Sequence, residues 1–175
     1  MGNDNEIMKK VLIITYDDNY INQISRLIFG EDVNMIEELG FGNYEDKNKK
    51  IIYTFLSGRI KRTWMHHLTG TYGIILINEG KDIYNENNVR EFENLLSCPS
   101  LNKVPIVVIY DKNQINSNKN SYYNNFKKMI ENLHFKMFSL TLDFSNLISQ
   151  KEQNEFLQGF NWMESEMIRI SLKRK

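Results

Sequence analysis

The stretch VLIITYDDNYINQI, residues 11–24, joins an apolar run to a polar kink and then to apolar residues at helical spacing. Val11, Leu12, Ile13 and Ile14 in succession suit a strand buried on both faces. Ile21, Ile24, Leu27 and Ile28 mark one side of a helix. The unit is therefore strand, turn, helix. In an open α/β sheet, ligands sit outside the carboxyl ends of the strands, where this turn lies. A turn built for phosphate is rich in glycine and ends in a lysine, so that backbone N–H groups and an ammonium meet the anion. Here the turn offers Asp17 and Asp18, with neither glycine nor lysine. Two carboxylates repel a phosphate. Asp18 or Asn19 reads instead as the cap of a helix starting near Tyr20. The competing reading, in which the two aspartates begin an oxygen site for a divalent cation, is the less favoured.

Four further strands follow by the same logic at 51–56 (IIYTFL), 73–78 (GIILIN), 104–110 (VPIVVIY) and 135–142 (FKMFSLTL). Helical spacing recurs at Val89, Phe92, Leu95 and Leu96, and again at Tyr122, Tyr123, Phe126, Met129, Ile130 and Leu133. A last helix is expected from about 152 to 172, with Phe156, Phe160, Met163, Met167 and Ile170 on its buried stripe. Alternating strands and helices define an α/β fold, a doubly wound and mostly parallel sheet with helices on both faces. Residues 39–56 break the alternation with two strand signals and no helix between them, which implies an antiparallel hairpin at one edge. The polar, Asn-rich run 113–125 reads as a solvated loop leading into a helix. One domain is expected over 10–175, behind a flexible segment 1–9.

Composition narrows the function classes. Lys and Arg number 22 and Asp and Glu 22, with a sequence pI near 6.8, so no overall field draws the chain to nucleic acid or to an anionic membrane. The chain has no alanine and is heavy in Asn, Lys, Ile and Tyr, a coding bias more than a structural demand. One cysteine, Cys98, excludes an internal disulfide and a thiolate zinc site, and suits a reducing compartment. No apolar run approaches the roughly 20 residues that cross a bilayer, so a cytoplasmic chain is expected. Gly2 is a candidate for myristoylation, although Glu6 replaces the Ser or Thr of the usual pattern.

Several stretches away from the first turn carry a family likeness. WMHHLTGTYGIILINEGKD (64–82), LLSCPSLNKVPIVVIYDKN (95–113) and GFNWMESEMIRI (159–170) together resemble the ADP-ribosylation-factor (Arf) family of small GTPases. Trp64-x-His66 precedes Thr71-x-Gly73 at a strand, Pro99 and Pro105 bracket the next strand, and Gly159-Phe160-x-Trp162 opens the last helix. The pair Gly40-Phe41 sits where the family carries a Gly-Phe after its first switch, and the register spans about residues 8 to 172. The resemblance implies the small-GTPase type of doubly wound fold and a place in vesicle or membrane traffic.

The five nucleotide loops of that family have no match here. The phosphate loop is replaced by residues 15–22, with Ile21 at the lysine position and Asn22 after it. No threonine occurs between 31 and 52 to complete a magnesium shell, and Glu37 and Glu38 stand in its place. The Asp-x-x-Gly loop has become Phe55-Leu56-Ser57-Gly58-Arg59, and the guanine-reading Asn-Lys-x-Asp has become Asp111-Lys112-Asn113-Gln114. The fifth loop, Ser139-Leu140-Thr141, has no counterpart. Charge-assisted hydrogen bonds are each worth roughly 1.5–3 kcal/mol, and several vanish together. The expectation is a pseudo-GTPase that needs neither GTP, GDP, magnesium nor another cofactor, has no catalytic residue, and acts by binding a protein partner. Retained weak guanine-nucleotide binding through Lys112 is the alternative.

The family receives effectors on an aromatic triad, whose matching positions here are Phe41, Leu56 and His67. Burial of Phe41 and Leu56 in the hairpin is the competing reading. The N-terminal GNDNEIMKK is too polar and short to grip a membrane as an Arf helix does, leaving only weak peripheral association. A second fold, the two-component receiver, shares an acidic pair after its first strand, but Asn78 stands where its phosphorylated Asp is expected and Lys136 precedes the last strand. His66 and His67 are adjacent, about 100° apart on a helix, and lack metal-ligand spacing; one of them is expected beside Trp64. Cys98 reads as a turn residue near a helix end, and Lys173, Arg174 and Lys175 as a short basic tail.

Overall fold

A computed structural model describes residues 8–15, 17–78, 86–115 and 120–173. Seven strands form one sheet: β1 (Lys9–Thr15), β2 (Met35–Ile36), β3 (Phe41–Asp46), β4 (Ile51–Ser57), β5 (Thr71–Asn78), β6 (Ile106–Asp111) and β7 (Met137–Leu142). Their order across the sheet is β2-β3-β4-β1-β5-β6-β7. β4, β1, β5, β6 and β7 run parallel, whereas β3 is antiparallel to both β4 and β2. The architecture is the doubly wound α/β sheet with an antiparallel edge that the alternation of patterns implies. The short β2 was not legible, because two residues carry no period.

The helices are α1 (Asp18–Phe29), α2 (Glu86–Leu96), α3 (Lys112–Ile115), α4 (Asn120–Asn132) and α5 (Gln150–Lys173), with a 3-10 segment at Gly58–His67. Strand residues alternate between two cores, as a period of two requires. Val11, Ile13, Phe55, Ile75 and Ile77 pack with Ile21 and Ile24 of α1 and with Phe156, Phe160, Met163 and Met167 of α5. Leu12, Ile14, Leu56, Leu76 and Val108 pack on the other face with Trp64 of the 3-10 segment and Leu68 just after it, Phe92 and Leu95 of α2, and Phe126 and Ile130 of α4.

Two expectations need correction here. Helix α1 begins at Asp18 and is capped by Asp17, not by Asp18 or Asn19: the Asp17 carboxylate accepts from the Asn19 N–H at 2.9 Å. The run 113–125 is also not one loop, since α3 and α4 occupy its two ends; residues 116–119 lie outside the described set. The polar run hid α3 and the first residues of α4, whose later stripe was expected, because Asn, Ser and Lys carry no apolar stripe there. Lys9 already pairs with Ile51, so β1 takes in the last residue of the segment expected to be flexible. No helix of the described residues is long and apolar enough to cross a membrane.

Candidate functional site

The carboxyl ends of the parallel strands bring together most of the residues singled out above. β1 ends at Thr15 and α1 starts at Asp18, so only two residues connect them, Tyr16 and Asp17. Tyr16 lies outside the described residues. A phosphate loop needs several residues to bend its N–H groups around an anion. This connection is short, and its hydrogen bonds turn inward: the Thr15 hydroxyl donates to the Asp17 carbonyl at 3.0 Å, and the Asp17 carbonyl also accepts from the Tyr20 N–H at 3.0 Å. Ile21, at the former lysine position, is buried in the core, and Asn22 is exposed.

One turn further, Tyr20 reaches across the strand ends. Its hydroxyl donates to Oδ2 of Asp111 at 3.1 Å, and its ring meets Phe144 edge-on at 4.4 Å. Asp111 ends β6 and is only 4% exposed; its Oδ1 caps the Asn113 N–H at 3.0 Å. The carboxylate is thus consumed on both oxygens by the chain itself. Lys112 and Asn113 are exposed at the start of α3, and the Asn113 amide donates to Asp143 Oδ1 at 3.4 Å. The Ser145 hydroxyl and N–H, with Asn113 and Lys112 beyond them, hold the Asp143 carboxyl below its usual range. Glu152, buried on α5, accepts from the Asp143 N–H at 2.7 Å. Gln114 belongs to α3, but its side chain lies outside the described set, as does Gly2.

A second cluster ties α1 to the hairpin and the 3-10 segment. Ser57, the last residue of β4, is 2% exposed and makes four hydrogen bonds. Its N–H donates to the Gly40 carbonyl at 2.8 Å, and its carbonyl accepts from the Trp64 indole at 2.9 Å. Its hydroxyl donates to Asp18 Oδ1 at 2.6 Å and accepts from the Arg59 N–H at 3.2 Å. The Arg59 guanidinium pairs with the other oxygen of Asp18. Gly58 is buried directly after this serine. Gly40 has φ +65°, and a Cβ there would stand 2.8 Å from Ile60, so the turn before β3 is pressed onto the 3-10 segment.

Outside that cluster lies an apolar corner. Ile36, Leu39 and Met65 are 45%, 46% and 54% exposed, which for large apolar side chains leaves about half of each in water. Ile36 pairs with half-buried Phe41, whose ring packs on His67 at 4.5 Å. Desolvation, helped by nearby Lys10 and His66, lowers the His67 pKa. Glu37 and Glu38 are exposed on the turn between β2 and β3, and Arg59, Ile60, Lys61 and Arg62 line an open depression of about 310 Å³ beside it. Leu56 does not belong to this surface. It is fully buried against Ile14 in the second core, because its position in β4 faces inward while Phe41, its partner across the hairpin, lies at the edge. Trp64 packs on Phe92 at 5.5 Å, and His67, three residues further on, packs on Phe41.

Sequence reasoning brought Asp17, Asp18, Ser57 and Asp111 to one end of the sheet but missed that Tyr20 and Asp111 meet 91 positions apart and that Arg59 pairs with Asp18. Nothing local signals either contact; only the strand order places them together. Among the described residues, no three of His, Cys, Asp and Glu converge as metal ligands. Cys98 is half-buried before a 3-10 turn at Pro99–Leu101.

Fold and site together define a doubly wound α/β domain in which Tyr20 and Asp111 bond to one another across the strand ends. No protein-family model and no curated protein matches the chain.

Proposed function

We propose that this chain is a degenerate Arf-type domain, a small-GTPase-like fold that has lost its nucleotide site and works as a protein-binding module. The observation that carries the reading is the Tyr20–Asp111 contact: a side chain from the segment that replaces the phosphate loop is bonded to one from the segment that replaces the base-reading motif. The two-residue turn after β1 and the carboxylates of Asp17 and Asp18 support it, since they supply negative charge where a polyphosphate needs donors. The antiparallel pair of β3 and β4 at the sheet edge favours this type over a receiver, in which a helix would join those strands.

The binding face is the corner formed by Ile36, Leu39, Phe41, Met65 and His67, with Leu56 beneath it as support. The partner is a protein, the compartment cytoplasmic with at most weak peripheral membrane contact, and the process membrane traffic, by analogy with the family that the chain resembles. No hydrolysis is assigned to it. Purified chain denatured and chromatographed tests the nucleotide half of the proposal: no guanine nucleotide is expected in the supernatant, and one equivalent of GDP there overturns it. The binding half is tested by crosslinking in cells from Met65 or Leu39 replaced by a photoreactive residue. A discrete protein adduct, lost on Phe41→Ala, is expected; its absence from both positions counts against the face.

A further inference from the structure

The corner is built from two segments that are not contiguous in the chain, the β2–β3 turn and the 3-10 segment, and neither is held by a regular helical ladder. Besides the packing of Trp64 in the second core and the β3–β4 ladder, Ser57 and the groups around it join both segments to the body of the fold. We propose that Asp18 and Arg59 form an internal lock, in which a carboxylate on the first turn of α1 fixes the 3-10 segment and so holds the apolar corner in its binding shape without any bound ligand. The inference rests on the reading of that corner as the binding face and names how its presentation is controlled.

Three features carry it. Asp18 uses both oxygens on the segment that follows β4, one toward the Ser57 hydroxyl and one toward the Arg59 guanidinium. Ser57 passes the constraint on in two directions, to Gly40 at the foot of the hairpin turn and to Trp64 in the middle of the 3-10 segment. The backbone at Ile60 then leaves helical geometry, at φ −122° and ψ 62°, so this segment has no unbroken hydrogen-bond ladder of its own to keep it rigid. Local stability in such a stretch comes from few contacts, and removing one is felt locally. The Arg59 side chain is 68% exposed and that of Asp18 29%, so their attraction is open to screening by salt. The corner is consequently firm at low ionic strength and loosens as ionic strength rises.

Hydrogen exchange on the full chain, with peptides covering 36–42 and 58–67, tests the lock without needing the partner. Asp18→Ala, which removes the bonds to both Ser57 and Arg59, should speed exchange in 58–67 by about tenfold, and Arg59→Ala, which leaves the Ser57 bond, by about threefold, while peptides from β5 and α5 stay unchanged. The double variant should exchange like Asp18→Ala alone, because that change already removes the pair with Arg59. High salt should bring the wild type toward the variants and leave the variants where they are. Asp17→Ala serves as control: it removes the α1 cap and should loosen 18–22 in preference to 58–67. Unchanged exchange in 58–67, additive effects in the double variant, or loosening spread evenly over the whole chain each overturns the lock. Recovery of GDP from the purified protein would instead sink the reading of the site, and the exchange data would stand apart from it.

Discussion

The strand ends around Tyr20 and the edge of the sheet around Ile36 behave in opposite ways. At the end of β6 polar groups are paired, Tyr20 with Asp111, and Phe144 meets the ring of Tyr20 edge-on, whereas Asn78 at the end of β5 is buried with both side-chain amide atoms unpartnered. Around Ile36, Leu39 and Met65 the corner is open and apolar, each of these side chains being about half exposed among the described residues. Where Tyr20 and Asp111 satisfy one another, the chain itself supplies the hydrogen bonding that a ligand would otherwise supply. A corner that leaves apolar area in water gives up about 25 cal/mol per Å² and retains it for a partner. The contrast is what the proposed binding role at the edge hairpin rests on.

The sharpest way to separate support from surface is Leu56→Ala. A fully buried leucine in the second core should cost about 2–5 kcal/mol on truncation, read as a drop in the urea midpoint at unchanged m-value. A cost near zero would mean that Leu56 belongs to the exposed corner after all. Next in size, Tyr20→Phe strips the donor from Oδ2 of the buried Asp111 carboxylate and should cost about 1–3 kcal/mol in the same measurement. A neutral result would show the crevice to be wet and open.

Acid should reach the corner through His67. Its pKa is lowered by desolvation, then by Lys10 and His66, so the unfolded chain binds the proton more readily than the folded one. Stability therefore rises with pH through the window from the lowered value up to the ordinary histidine range near 6.5, and is lost as pH falls through it. In His67→Asn the slope between about pH 7 and 5 should be shallower than in the wild type. An identical slope would remove His67 from the account. The smallest stability effect belongs to Met65→Ser, within about 0.5 kcal/mol because the side chain is half in water, together with loss of the crosslinked partner. A large destabilisation there would place Met65 in the core.

The sheet was legible because its strands are nearly continuous branched aliphatics: Val11 to Ile14 and Ile74 to Ile77 admit no other burial. The hairpin was legible from two strand signals with no helical spacing between them. The site was legible only as a set of missing groups. That Asp17 caps α1 follows from a boundary two residues earlier than the apolar stripe indicates, and stripe positions do not fix a helix start. That Tyr20 meets Asp111, and that Asp18 holds Arg59, depends on which strands lie side by side, a property of topology and not of any local spacing. Leu56 shows the reverse case. Its likeness to a surface position in another family was overruled by the pleat, which turns it inward beside Ile14.

Isothermal titration of the purified chain with GTP and with GDP, each with magnesium, tests most directly the claim that the strand-end crevice is occupied from within. No saturable heat is expected at concentrations up to about 1 mM, where binding would still release some 4 kcal/mol of free energy. A stoichiometric isotherm with a sub-micromolar dissociation constant would contradict it.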